Sequence, residues 1–174
     1  MKRGTLIKLL GSFAAALNAA LTGAFVISTL HTCDAPSTAT RLLEMGVEPY
    51  ITAATVTAVL AQRLARRLCA HCRQPYTPSE IEVDELGLDE DDVLFHAGGC
   101  SLCDHGYRGQ IGVHQLMQFD DDIAKLVLER ASYEEIAAAA TANGMATLAD
   151  DGLKKALVGL TSVEELRRVT ADVS

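Results

Sequence analysis

Tryptophan is absent, and four tyrosines and four phenylalanines are the remaining large aromatics among 174 residues. Any core must therefore be aliphatic and alanine-rich, drawn from the 49% of the chain that is hydrophobic. Surplus positive charge is lacking too. Fifteen Lys and Arg face 23 Asp and Glu, and the net charge of −8 argues against nucleic acid as a main partner. There is no internal repeat and no low-complexity linker, and the length suits one or two small domains.

Charge is missing altogether from Leu9 to Leu30, behind a positive Met1-Lys2-Arg3. That outline fits a signal peptide or a membrane anchor. However, Gly11, Ser12, Asn18, Thr22, Gly23 and Ser28 interrupt the stretch, and alanine dominates it. The preferred expectation is a helix over Ala14–Leu21, ended by Gly23. A strand over Ala24–Leu30 follows, covered on both faces as in a parallel sheet. Without sheet neighbours, such a strand exposes an apolar edge. Residues 1–60 are therefore expected to need self-association or a partner.

Cysteine is present in a pattern. Cys69 and Cys72 form one Cys-x-x-Cys pair, and Cys100 and Cys103 form another. Each pair lets two thiolates converge from a tight turn, and two pairs complete a tetrahedral four-sulfur shell with no open position. Structural zinc is the expected occupant; a redox dithiol or two disulfides are the alternatives. Residues 73–99 make a longer insertion than the usual ribbon spacing, so an elaborated module is expected. Gly98, Gly99, Gly106 and Gly109 are assigned to knuckle turns with positive φ. Cys33 stands apart as a free thiol. A free thiol and a tetrathiolate suit a reducing compartment.

Asp34 can cap a helix that has Pro36 in its first turn and Gly46 beyond its end. Glu48-Pro49 is expected to open a long helix running to Leu68. On it Arg63, Arg66 and Arg67 fall at i, i+3 and i+4, one face, with Arg73 just beyond. That face is either solvated or in contact with an acidic neighbour or a nucleotide phosphate. The acidic stretch Thr77–Asp92 is expected to be a mobile, functionally quiet loop or short helix. Ile111–Phe119 alternates like a strand, with Ile111, Val113 and Leu116 opposed to His114 and Gln115. The remaining residues are expected to be helical. Capping boxes are expected at Ser132-Tyr133-Glu134-Glu135 and Thr161-Ser162-Val163-Glu164, with a weaker one at Thr147–Asp150.

In order and spacing, STLHTCDAPSTATRLLEMGVEPY, AQRLARRLCAHC, GCSLCDHGYRGQIGVHQL and GMATLADDGLKKALVGLTSVEELRRVT resemble the C-terminal half of the type II secretion and type IV pilus assembly ATPases. The resemblance covers about residues 18–170. It implies a hexameric motor at the cytoplasmic face of the inner membrane. Its partners would be other motor subunits and an inner-membrane platform protein, with membrane contact indirect. It places Thr29-Leu30-His31-Thr32 at the family's histidine box, near the nucleotide's γ-phosphate, so His31 and Thr32 are nucleotide-side candidates. Gln62-Arg63-Leu64 matches a second motif near the nucleotide, which singles out Arg63. Cys69, Cys72, Cys100 and Cys103 match the family's tetracysteine zinc site. Cys33 and Ala24 depart from the Asn and His usual there.

No G-x-x-x-x-G-K-[ST] occurs in the chain. ATP and Mg²⁺ are thus expected only of an intact family member, and the chain is expected not to hydrolyse ATP alone. The expected fold is α/β. Residues 1–68 would form a remnant of a RecA-like ATPase core, 69–109 a zinc subdomain with an acidic insert, and 110–174 a strand with a small helical subdomain. The alternative function is a zinc-stabilised, non-catalytic module that docks on a platform protein.

Overall fold

The structure is a computed structural model and describes residues 16–171. Met1-Lys2-Arg3, the start of the uncharged stretch and the first residues of the expected helix lie outside that range. Residues 16–21 are helical, and Gly23 follows at φ 90°. In chain order the next elements are α1 (Ala35–Glu44), α2 (Pro49–Thr55), β1 (Ala58–Leu68), β2 (Gln74–Tyr76), α3 (Glu80–Leu86), β3 (Leu94–His96) and β4 (Tyr107–Gln118). Four helices complete the set: α4 (Asp121–Leu128), α5 (Tyr133–Ala142), α6 (Leu148–Leu157) and α7 (Val163–Thr170). The fold is thus mixed helix and strand.

Strands β1 and β4 pair as a two-stranded sheet. At one end Phe119 N–H donates to the Thr57 carbonyl at 2.9 Å; at the other, Cys69 N–H donates to Gly106 at 2.9 Å. The strands therefore run in opposite directions. The chain divides into two compact units whose boundaries fall inside these strands, at Ala61/Gln62 and Gln115/Leu116.

The first unit holds α1, α2, α4 and α5. Asp34 caps α1 through a capping box with Ser37, with a proline in the first turn, and Gly46 beyond its end has φ 85°. Ser132 and Glu135 form the same device at α5. The core gathers Ala35, Ala39, Met117, Ile123, Val127, Ile136 and Ala140, so it is aliphatic and alanine-built as expected. Tyr133 lends only its hydroxyl, 2.6 Å from Asp34.

Two expectations fail here. Ala24–Leu30 is not a strand: among the described residues nothing pairs with it, and Phe25 and Ile27 are 91% and 82% exposed. A sheet strand needs neighbours for its backbone groups, and apolar composition alone does not supply them. Nor does the helix opened at Pro49 continue to Leu68. It ends at Thr55, where Val56 turns extended, and 58–68 is a strand. β-branched Thr55, Val56, Thr57 and Val59 disfavour helix, and pairing with β4 supplies the backbone partners. The arginine face dissolves with it. On β1, Ala61 and Ala65 point inward with half-buried Arg63, while Arg66 projects from the opposite, exposed side.

The second unit holds β2, α3, β3, α6 and α7 with the facing parts of β1 and β4. β2 and β3 pair antiparallel, Gln74 with His96 and Tyr76 with Leu94. The acidic stretch is anchored by this hairpin. Ser79 and Glu82 cap α3, and Leu88 and fully buried Leu94 join Ala156 and Val163 in a core cluster. On β4 the alternation is shifted from the expectation: Val113, Gln115 and Met117 are buried, and Leu116 is 51% exposed. Helices α6 and α7 approach so closely that a Cβ on Gly152 would lie 2.1 Å from Leu166 Cδ1. Thr147 and Asp150 form a full capping box. The last cap is Ser162 rather than Thr161.

Glu165, three residues after that cap, is fully buried and turns away from the box. Its carboxylate accepts from Arg66 Nη2 at 2.7 Å, from Arg168 Nη2 at 2.6 Å and from the Arg66 backbone N–H at 2.8 Å. Desolvation alone would raise its pKa, but the hydrogen bonds from Arg168 and Arg66 outweigh it and hold the carboxyl at about 2.

Because that value lies below the roughly 4.3 of an unfolded glutamate, the clamp stabilises fully above about 4.3 and loses its effect as pH falls toward about 2. Glu165→Gln should flatten the acid limb of stability in that window. At neutral pH it should cost about 2 kcal/mol, less than the roughly 3–5 kcal/mol for a fully buried pair, because both arginines remain half in water. Urea midpoints for parent and variant across the acid range provide the check.

Candidate metal centre

Two turns bring the four cysteines together. In the first, Cys72 N–H and Arg73 N–H donate to the Cys69 carbonyl at 3.2 and 2.9 Å. In the second, Cys103 N–H donates to the Cys100 carbonyl at 3.3 Å. The Cys69–Gly106 bond ties the turns to each other. Behind them, Asp104 and Tyr107 exchange backbone hydrogen bonds at 3.0 and 2.9 Å and close the second knuckle.

The result is one cluster whose four sulfurs all lie within 4.8 Å of one another. Cys69 and Cys100 sulfurs are 3.9 Å apart, Cys72 and Cys103 3.6 Å, and Cys100 and Cys103 3.5 Å. A tetrahedral ion with metal–sulfur bonds of about 2.3 Å would set its sulfurs about 3.8 Å apart. The residues therefore fit a four-sulfur metal shell. No disulfide joins any of the five cysteines. The crosswise approach of 69 to 100 and of 72 to 103 is something two independent dithiols would not require.

The electrostatics agree. Gly99 N–H donates to Cys72 Sγ at 3.2 Å and Cys100 N–H to Cys103 Sγ at 3.3 Å. Desolvation pushes the Cys72 thiol up to about 12. It would raise Cys103 as well, but the Cys100 N–H and neighbouring thiols hold that group down at about 7. One thiol ready to ionise beside one that resists is the expected state of crowded sulfurs, and a divalent cation would relieve it by taking all as thiolates. Cys69 is buried and the other three are partly exposed; four sulfurs around one ion would fill a tetrahedral shell and leave no position for a fifth ligand.

Of the assigned glycines, 99, 106 and 109 have positive φ (104°, 84° and 77°). Gly98 does not, and its requirement is space: a Cβ there would sit 2.2 Å from the Cys72 carbonyl oxygen.

The nucleotide-side candidates fall elsewhere. His31 is exposed and outside any strand. Half-buried Thr32 has its hydroxyl 2.8 Å from that of Thr38. Both belong to the first unit, whereas Arg63 belongs to the second, with Nη1 donating to the Gln62 carbonyl at 3.3 Å. Cys33 is exposed. Among the described residues no helix is long and apolar enough to cross a membrane.

Residues 8–168 match the family model described as type II/IV secretion system protein. A type II secretion system protein E of Pseudomonas aeruginosa is 43% identical over 160 residues, 90% of this chain and 32% of that protein. A type IV pilus assembly ATPase PilB of Acinetobacter baylyi is 41% identical over 163 residues, 90% and 28% of the two chains. The PilB of Thermus thermophilus is 44% identical over 156 residues, 87% and 18%. The chain thus spans at most about a third of the length of these relatives.

Two residues that shape this region escaped the sequence reading: Tyr107 and Glu165. Arg73 was noted only as lying beyond the arginine face, and the Ser162-to-Glu165 spacing lay one residue beyond the Thr161–Glu164 box. Tyr107 had no local signal. Gly106 did, and its reason is now specific. With φ 84°, a Cβ there would also lie 2.5 Å from Ala97 Cβ. Gly106→Ala should therefore lower stability by roughly 1–3 kcal/mol. Thermal unfolding of the variant tests this, and a transition matching the parent's would rule out the close packing of the knuckle on Ala97.

Proposed function

The chain belongs to the type II/IV secretion system protein family, and from that premise we propose that it is the C-terminal portion of a secretion or pilus-assembly motor ATPase, holding a structural zinc. The observation that carries this is the collinear family match over residues 8–168, with the four-sulfur cluster inside it. On this reading the first unit contains the remnant of a RecA-like core. His31 and Thr32 would face nucleotide in a complete motor, and Arg63 is a separate nucleotide-side candidate of the second unit. The second unit is the zinc-centred part with its helical tail. The partners would be other subunits of a hexameric motor and an inner-membrane platform protein at the cytoplasmic face.

Catalysis by these residues alone is not part of the proposal. No G-x-x-x-x-G-K-[ST] occurs among them, so no loop cradles the phosphates and no Lys-Ser/Thr pair meets phosphate and Mg²⁺. The zinc would supply a cross-link, with no vacant position for substrate.

Two measurements test this. Metal analysis of the purified protein should give about one zinc per chain, and Cys100→Ser should abolish it and lower the melting temperature more than any surface substitution. A chain that binds no metal would overturn the zinc assignment. Calorimetric and turnover assays with Mg·ATP should show no hydrolysis by the isolated chain; saturable turnover lost in His31→Ala would overturn the non-catalytic reading.

A further inference from the structure

The link between α6 and α7, Val158–Ser162, is held from both sides by residues that flank the cysteine pairs. Arg73 follows Cys72. Its Nη1 donates to the carbonyls of Val158 at 3.3 Å and Gly159 at 2.5 Å, and its guanidinium lies 4.9 Å over the Phe95 ring. Those carbonyls lie just past the end of α6, where a helix leaves acceptors unsatisfied and its dipole is negative. Gly159 has to be glycine for this contact: at φ 71°, a Cβ would stand 2.6 Å from Arg73 Nη1 and 2.9 Å from Phe95.

From the second knuckle, the Tyr107 hydroxyl lies 2.8 Å from Ser162 Oγ, which caps α7 by accepting from Glu165 N–H at 3.2 Å. Between these points, Leu68 N–H donates to the Leu160 carbonyl and the Thr161 hydroxyl donates to the Arg66 carbonyl, each at 2.9 Å. Every residue from 158 to 162 therefore bonds to the strand entering the first knuckle or to a residue beside a cysteine pair.

We propose that the four-cysteine centre is the clamp on this link, so that metal release selectively loosens the end of α6 and the start of α7. The inference rests on reading the centre as a metal site. Its physical basis is that Arg73 leaves the first turn and Tyr107 closes the second, so both turns set the positions from which these side chains hold the link, while the anchors at Leu68 and Arg66 belong to β1. Leu88, Leu94, Ala156 and Val163 are packed independently of the sulfurs and would keep the helix bodies in place.

Hydrogen exchange with mass spectrometry on the full chain, zinc-loaded and after chelation, reads the effect directly. Amides from Gly159 to Leu166 should exchange about tenfold or more faster once zinc is gone, while Ile123–Val127 of α4 keeps its protection. In the loaded protein, Tyr107→Phe should speed exchange at the start of α7 and Arg73→Met at the end of α6, with zinc content unchanged. Zinc loss with unchanged exchange across 159–166 would overturn the clamp. So would collapse of α4 protection at the same time, or variants that both exchange like the parent. A chain that never carries metal would overturn the zinc assignment itself, and metal analysis alone would reveal it.

Discussion

The convergence of four sulfurs within 4.8 Å is the constraint on which the second unit depends. Residues 73–99 lie between the two pairs, and closing that loop costs chain entropy, offset in part by the β2–β3 hairpin and by Leu88 and Leu94 in the core. Metal–thiolate bonding would offset more, on the order of 10 kcal/mol in small zinc domains. Hydrogen bonds from Cys69 to Gly106 and between Asp104 and Tyr107 surround the cluster. A chain without tryptophan has few large apolar groups with which to achieve the same closure.

The first unit solves the same problem differently. Among its described residues there is no cysteine cluster, and its helices pack through alanines: Ala35 and Ala39 on α1, Ala140 on α5. Small side chains let helix backbones approach, and Met117, Ile123 and Ile136 fill the space that remains. Asp34 makes both local and distant contacts, capping α1 through Ser37 N–H and accepting from the Tyr133 hydroxyl 99 residues away.

Legibility in the sequence followed the range of the interaction. Caps at Asp34, Ser132 and Thr147 were readable because a cap is decided within four residues. The clustering of the four cysteines was readable because two short spacings carry the geometry. The strand 58–68 was not: its apolar residues also fit a helix, and only its distant partner β4 decides between them. Ala24–Leu30 failed in the opposite sense, since its composition suits a strand but the described residues offer it no partner. Glu165 was hidden because its meaning lies in Arg66, 99 residues away.

The β2–β3 hairpin has one more consequence. Its outermost pair, Gln74 with His96, sits just inside the cysteine pairs, and Tyr76 with Leu94 closes it two residues further in. The stem thus separates the placement of the sulfurs from whatever length of chain crosses its far end. Loop-closure entropy grows only slowly with length, so once the stem is paired, added residues cost little. The exposed turn at Asp89–Asp91 is then a place where this architecture tolerates insertion, whether by evolutionary drift or as a site for grafting a reporter domain.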